Sequence, residues 1–391
     1  MKQKNGKIEL MRFVFCVCIV LFHIAVIDNI FPDTKIRIGP LCFFYRGYLG
    51  VEYFFLVSGA LMAKSVRSRI RKEEAGEVAP AASIGDETLG FLWGKVRAIL
   101  PYHLLFCLIM LVLLVVGYPE NFPSNVLDQF LSLFLLHRTG LTTDSVIAGE
   151  WYISAMLLVM ALYYPLCKKY YLTFTHLVAP FAGVMILGYM YLTVGKLSGA
   201  DLVNGITYHS NYRALAEIAI GLTCYEVSLV LAQKKFTKGQ RLLISCLEGG
   251  GYLATLLYIC SDFNVEYETI AFFLLCVSVT LSFSQKGLLG ESRLFQNRFC
   301  CFLGAISMPV YLCQNIGRRI ANLWFSDVRP RNRLIGVFVF TLALGVGTYL
   351  VWNWIQKQPN RNKIVKRLSA VLLIAGVTVS AAAVIRYQLA I

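Results

Sequence analysis

Apolar runs of about 20 residues recur along the sequence, and this feature limits the folds open to the chain. A run of that length crosses about 30 Å of hydrocarbon as an α-helix. The runs are continuously apolar rather than alternating, which favours helices over the strands of a membrane barrel. Of the 391 residues, 57% are hydrophobic and only 15% are charged. This composition excludes a water-soluble fold and predicts an all-α polytopic integral membrane protein.

The hydropathy pattern predicts about ten core spans, one additional C-terminal span and one short partial helix. The partial helix covers residues 124–137, an apolar piece shorter than a full crossing needs. The full spans cover 8–28, 47–64, 97–117, 151–167, 175–193, 211–232, 242–261, 267–285, 299–317, 334–355 and 369–387.

Loop charges orient these spans, because Lys and Arg concentrate in cytoplasmic loops. Basic stretches follow residues 64, 234 and 357, whereas the segment Asp262–Glu268 is acidic. With a cytoplasmic N-terminus, this pattern holds only if residues 124–137 form a re-entrant or partial helix. We therefore predict one domain over residues 1–391, with a core at 8–355 and a basic inner loop plus an extra span at 356–391. Residues 65–90 are predicted to form the only sizeable loop.

The charge and the cysteines have ordinary explanations in a membrane protein. The net charge of +15 lies in short loops as the positive-inside pattern requires, so no nucleic-acid partner is expected. Most of the twelve cysteines lie in apolar runs, and none forms a CxxC pair. The sequence therefore indicates neither a disulfide framework nor a zinc site, and no metal is expected.

The first predicted span carries two ionisable residues, Arg12 and His23. Eleven helical steps rotate the chain by about 1100°, which is close to three full turns. The two side chains therefore share one face and lie about 16 Å apart along the axis. Ionisable residues inside a membrane are costly, which suggests a shared cavity. Arg12 as an interfacial anchor and His23 as an interhelical hydrogen-bonding residue are the alternatives.

Three further charged residues lie near the ends of the next two spans. Glu52 is placed at a depth similar to that of His23, where a carboxylate can orient an imidazole that acts as a base. It can also cap an outer helix end. Lys95 and Arg97 lie at the inner end of the third span, where they either hold the phosphates of an anionic cofactor or anchor the helix.

Several stretches of the sequence, taken in order, resemble the acyltransferase 3 family of bacterial membrane O-acyltransferases. They are the Arg-x10-His opening, "GVEYFFLVSG" from Gly50, "KVRAILP" from Lys95 and "ISMPVYLCQ" from Ile306. The resemblance spans residues 8 to about 355. It implies transfer of an acyl group, usually acetyl, from cytoplasmic acetyl-CoA to a glycan or lipid-linked saccharide at a bacterial cytoplasmic membrane.

The resemblance also suggests roles for individual residues. It implies that His23 is the catalytic histidine, with Arg12 as its partner on the same helix. Glu52 is the candidate orienting carboxylate because of its depth in the second span, and not because of the resemblance. Arg12, Lys95 and Arg97 are the predicted acyl-CoA contacts. The candidate substrate-binding residues are Glu150, Trp151, Arg213, Tyr311 and Gln314, and Glu217 lies one helical turn after Arg213.

The sequence departs from the family pattern at two motifs. The family usually has an arginine where Ala98 stands, and a histidine where Gln314 stands. The departure at Gln314 indicates a different contact with the acceptor.

The sequence leaves several functional choices open. A membrane transporter or lipid-linked glycan carrier also needs charged residues in its spans. For an enzyme, His23 acts either as nucleophile or as general base, and the acceptor is a hydroxyl or an amino group. Membrane lipid is an expected partner, and the sequence does not define the oligomeric state.

Overall fold

The computed structural model describes residues 5–27, 37–38, 41–117, 131–141, 147–290, 292, 295–324 and 329–389. Within these residues it has eleven helices long and apolar enough to cross a membrane, which confirms the predicted all-α polytopic class. The only strands in the described residues form two short antiparallel hairpins. Strand β1 (Arg37–Ile38) pairs with β2 (Leu41–Cys42), and β3 (Val203–Asn204) pairs with β4 (Thr207–Tyr208).

The eleven helices follow the eleven predicted full spans in order. Their bounds are α1 Gly6–Phe22, α2 Gly50–Glu74, α3 Ile84–Gly117, α4 Trp151–Lys169, α5 Tyr171–Val194, α6 His209–Gln233, α7 Lys238–Ile259, α8 Glu268–Ser284, α9 Arg298–Trp324, α10 Pro330–Gln356 and α11 Arg361–Leu389. A π-helical turn, His23–Ile27, continues α1, and another, Phe174–Val178, interrupts α5.

The prediction of a long loop over residues 65–90 is wrong. Helix α2 continues to Glu74 and α3 already begins at Ile84, so the connection is much shorter. Hydropathy marks where a helix becomes polar, whereas hydrogen bonding and side-chain pairs decide where it ends. Here Arg69 pairs with Glu73 one turn later at 2.6 Å, and Lys168 of α4 contacts Glu73 at 2.5 Å.

Most of the predicted partial helix, residues 124–130, lies outside the described residues. In its remainder, residues 131–132 are helical and residues 133–135 form a turn. The carbonyl oxygen of Ser132 lies 2.9 Å from Nε2 of His103. His103 precedes the end of α3 by 14 residues, which is about 21 Å along a helix axis. This part of the connection therefore lies alongside the interior of α3.

The chain divides into two compact units. Unit 1 comprises Met1–Phe22, Asp33–Leu92 and Ala155–Ala305, and unit 2 comprises His23–Pro32, Trp93–Ser154 and Ile306–Ile391. In unit 1, α6 packs against α2, α5 and α8, and α8 also packs against α7. In unit 2, α10 contacts α11 and the π-turn that begins at His23.

Glycines allow the closest helix contacts within unit 1. A Cβ atom added to Gly59 of α2 would collide with the carbonyl oxygen of Ile218, and one added to Gly221 of α6 would collide with that of Leu56. Small residues let helix backbones approach where lipid supplies no hydrophobic driving force. The contact between α2 and α6 therefore depends on both glycines.

We predict that Gly59→Leu lowers the stability of the folded protein by about 1–3 kcal/mol, because the side chain overpacks the α2–α6 contact. Gly249→Leu is the matched control, since nothing lies within 4 Å of a Cβ at Gly249, and it is expected to leave stability unchanged or slightly raised. Fluorescence-detected size-exclusion chromatography after heating measures both. Equal melting temperatures for the two variants would contradict the prediction.

Candidate functional site

Three charged side chains meet in the interior of unit 1, and we call Glu52, Arg213 and Glu217 the buried charge cluster. Nη2 of Arg213 donates to Oε1 of Glu52 at 2.5 Å, and its Nε lies 3.7 Å from Oε1 of Glu217. Arg213 is 1% exposed and both carboxylates are fully buried. Glu52 lies in the first turn of α2, while Arg213 and Glu217 are one turn apart on α6.

Several carboxylate oxygens of the buried charge cluster have no hydrogen-bond donor in the part of the chain that the structure describes. Oε2 of Glu52 and both oxygens of Glu217 find no hydrogen-bond donor among the described residues. Two ionised carboxylates beside one guanidinium would leave a net negative charge, which burial makes expensive. The oxygens without donors are suited to accept hydrogen bonds from a hydroxyl-bearing ligand.

Another buried carboxylate of unit 1, Glu268, contrasts with this cluster because its oxygens are well supplied with donors. Tyr48 donates its hydroxyl to Oε1, and the backbone N–H groups of Leu197 and Ser198 donate to Oε2 at 3.1 and 3.3 Å. The guanidinium of Arg46 lies 3.8 Å from the same carboxylate and stacks over the ring of Tyr258. We assign Glu268 a structural role.

In unit 2, Glu150 lies among polar side chains from α3 and from the connection before α4. Oγ of Ser132 donates to Oε2 of Glu150 at 2.7 Å, and Nε2 of His103 lies 3.9 Å from Oε1. Sγ of Cys107, one turn after His103 on α3, lies 3.5 Å from the same Nε2 atom. All four side chains are buried, and we call these four residues the Glu150 cluster.

Helix α9 places two polar side chains next to Gly149. The hydroxyl of Tyr311 donates to the carbonyl oxygen of Gly149 at 2.7 Å. The amide of Gln314 is fully buried, and neither its nitrogen nor its oxygen has a hydrogen-bond partner among the described residues. A Cβ on Gly149 would lie 3.1 Å from Nε2 of Gln314, so a glycine fits this position. The unmatched amide is the strongest sign of a ligand-binding position in unit 2.

Four of the predicted substrate-binding residues therefore belong to one region of unit 2: Glu150, Trp151, Tyr311 and Gln314. Trp151, which is buried, begins α4 directly after Glu150. The fifth, Arg213, belongs to unit 1, where the structure pairs it with Glu52. Their substrate-binding roles stay predictions.

Two of the residues predicted for catalysis lie in α1 or in the π-turn that follows it. Nη1 of Arg12 pairs with Glu9 at 3.2 Å on α1. His23, partly buried, begins the π-turn, so the regular helix assumed for its alignment with Arg12 ends one residue earlier. The alignment and the predicted contact between Glu52 and His23 stay predictions.

The two basic residues of α3 differ in their surroundings. Lys95 is partly buried, whereas Arg97 is exposed and donates from Nη2 to Oδ1 of Asn362 on α11 at 2.7 Å. Because that partner is an uncharged amide, the positive charge of Arg97 remains available to an anion.

Sequence reasoning missed His103, Cys107 and Ser132. The four-residue spacing of His103 and Cys107 was a usable signal, because it places both side chains on one face of α3. No local pattern marked Ser132, which lies between α3 and α4 and contacts residues distant in sequence.

We predict that Arg213→Met destabilises the protein by about 3–5 kcal/mol, because it leaves two carboxyl groups buried without their cation. Glu217→Gln removes the excess acid and is expected to keep nearly wild-type stability. Thermal unfolding in detergent measures both. Arg71→Met, at an exposed position of α2, controls for the loss of an arginine, and an Arg213→Met protein as stable as this control would contradict the prediction.

A family model described as an acyltransferase domain matches residues 5–355. No curated protein and no solved structure matches the chain significantly.

Proposed function

Because the chain belongs to the acyltransferase 3 family, we propose that it moves an acetyl group from cytoplasmic acetyl-CoA to a hydroxyl group of an envelope glycan or lipid-linked saccharide. The observation that carries this proposal is the family match over residues 5–355. The match makes the protein a membrane acyltransferase, which favours this reaction over the transporter alternative. A bacterial cytoplasmic membrane with the N-terminus inside is the location we propose.

On the donor side, Arg12, Lys95 and Arg97 are proposed to hold the phosphates of acetyl-CoA. Guanidinium groups suit phosphate because their N–H donors form paired, charge-assisted hydrogen bonds. The exposure of Arg97 and its uncharged partner Asn362 support this role. Arg12 has Glu9 within 3.2 Å, so it would bring less net charge to the donor.

At the reacting centre, His23 is proposed to act on the acceptor hydroxyl or on the thioester. As a general base, it takes the hydroxyl proton while the oxygen attacks the thioester carbonyl, and the coenzyme A thiolate leaves and takes up the proton from the imidazolium. As a nucleophile, it first forms an acyl-imidazole with loss of the thiol, and the hydroxyl then takes the acyl group. Both routes give an ester and free coenzyme A.

On the acceptor side, two groups of buried polar atoms suit a sugar. Oxygens of the buried charge cluster in unit 1 lack donors, which hydroxyl groups supply. The amide of Gln314 in unit 2 offers both donors and an acceptor. A site built to hydrogen-bond hydroxyl groups discriminates strongly against ligands that lack them, because its polar atoms would otherwise stay unpaired.

We predict that His23→Gln lowers the transfer of labelled acetyl groups by at least about 100-fold, since it removes the group that moves the proton or carries the acyl. Transfer from radiolabelled acetyl-CoA to the glycan of membranes containing the variant measures the loss. His176→Gln is the control and is expected to keep wild-type transfer, because His176 lies in unit 1, where it contacts Glu226. Wild-type transfer by His23→Gln would overturn the assignment.

The acylated product distinguishes a hydroxyl acceptor from an amino acceptor. Mass spectrometry of envelope glycans from an expression strain is expected to show an added acetyl mass that mild alkali removes, because alkali cleaves esters and spares amides. An added acetyl mass that survives alkali would show amino-group acylation. A host that carries His23→Gln supplies the unmodified reference glycan.

A further inference from the structure

His103 and Cys107 have no role in the proposed reaction, yet they lie beside Glu150 in the interior of unit 2. One imidazole nitrogen, one thiol sulfur and one carboxylate oxygen all lie within 4.8 Å of one another. Each of the three side chains is fully buried, and Cys107 is a free thiol. Such a mixed set of nitrogen, sulfur and oxygen atoms is a known type of metal-ligand set.

The distances between these atoms suit a small metal ion. Nε2 of His103 lies 3.5 Å from Sγ of Cys107 and 3.9 Å from Oε1 of Glu150. Zinc binds nitrogen, sulfur and oxygen ligands at about 2.0–2.3 Å, which separates neighbouring ligands of a tetrahedral site by about 3.3–3.8 Å. The three ligand atoms would need to approach one another by less than about 1.5 Å to reach the separations of a tetrahedral site.

The charges of the set also match a divalent ion. One thiolate and one carboxylate carry two negative charges, and the imidazole is neutral, so a dication brings the group to zero. A group without net charge is favoured inside a membrane protein, because burying a net charge is costly. Thiolate and imidazole ligands select zinc and similar transition metals over Mg²⁺ and Ca²⁺, which prefer oxygen ligands.

We propose that His103, Cys107 and Glu150 bind a zinc-like divalent transition-metal ion, which fastens the connection before α4 to α3. The site goes beyond the proposed acyl transfer and departs from the expectation of a metal-free protein. That expectation rested on cysteine pairs close in sequence. Here one ligand comes from a distant segment, which the fold brings to the other two.

Ser132 completes the surroundings of the ion. Its hydroxyl donates to Oε2 of Glu150 at 2.7 Å and so orients the carboxylate, as outer-shell partners commonly do, with Oε1 as the proposed ligand atom. Its carbonyl oxygen lies 2.9 Å from Nε2 of His103 and faces the same space. That carbonyl or a water molecule supplies the fourth ligand.

Binding releases one proton to solvent. In the metal-free protein, Nε2 of His103 donates its hydrogen to the carbonyl oxygen of Ser132. When the ion binds, that hydrogen moves to Nδ1 and the thiol of Cys107 loses its proton, because a thiolate and an unprotonated ring nitrogen are the forms that coordinate a metal. No oxidation or reduction takes place.

The test measures metal content and not acyl transfer, so its failure is distinguishable from failure of the proposed function. Full-length protein purified through a tag without histidines, in detergent, is expected to contain about one zinc per chain by mass spectrometry of its metals. Cobalt exchanged into the site is expected to give a thiolate-to-cobalt charge-transfer band. Cys107→Ser is expected to lose the band and more than about 10-fold in zinc affinity.

Cys313→Ser is the matched control, because Cys313 is a buried cysteine of unit 2 whose thiol bonds backbone carbonyl oxygens. It is expected to keep both metal and band. If Cys107→Ser does not yield folded protein, Ser132→Ala keeps all three side-chain ligands and is expected to bind zinc about 10-fold more weakly. Wild-type protein that takes up no stoichiometric zinc or cobalt, or a Cys107→Ser protein with the wild-type band, would overturn the proposal.

Discussion

The ion pair between Arg213 and Glu52 is the contact on which the arrangement of unit 1 depends. A fully buried guanidinium is tolerated only beside a compensating charge, because few other groups in a membrane interior can replace its hydration. The 2.5 Å contact fixes α6 against α2 at one level, and the contact of Gly59 with the backbone near Ile218 fixes the same helices at another. Two points of attachment set both the register and the rotation of α6, which in turn contacts α5 and α8.

The buried polar residues fall into two classes, according to whether their polar atoms have hydrogen-bond partners among the described residues. Glu268 accepts hydrogen bonds from a hydroxyl and from two backbone N–H groups. Its carboxylate is therefore satisfied without a ligand. Glu217 and Gln314 are equally buried but find no such partners among the described residues. Since an unsatisfied buried polar group costs free energy of about 1–3 kcal/mol, its retention needs a reason. The proposed contact with a hydroxyl-bearing acceptor would supply that reason.

The sequence predicted the spans well because crossing a bilayer imposes a length and an apolar composition that can be read directly. Helix ends were harder to predict, since the charged residues from Lys64 to Glu74 are polar yet continue α2 through pairs such as Arg69 with Glu73. Pairing between distant residues was hardest. Glu52 and Arg213 were both named as candidates, but 161 residues separate them, and periodicity gives no information about which helices become neighbours.

The π-turn at His23 shows how a local irregularity affects a functional argument. The predicted alignment of Arg12 with His23 assumes a regular helix, whereas α1 ends at Phe22 and the wider turn begins at His23. Such turns recur at functional sites because they leave backbone groups with altered hydrogen bonding and redirect the side chains that follow. In a span where every backbone group must find a partner, an irregular turn at the proposed catalytic histidine favours a role in positioning that side chain over the alternative of a structural interhelical hydrogen bond.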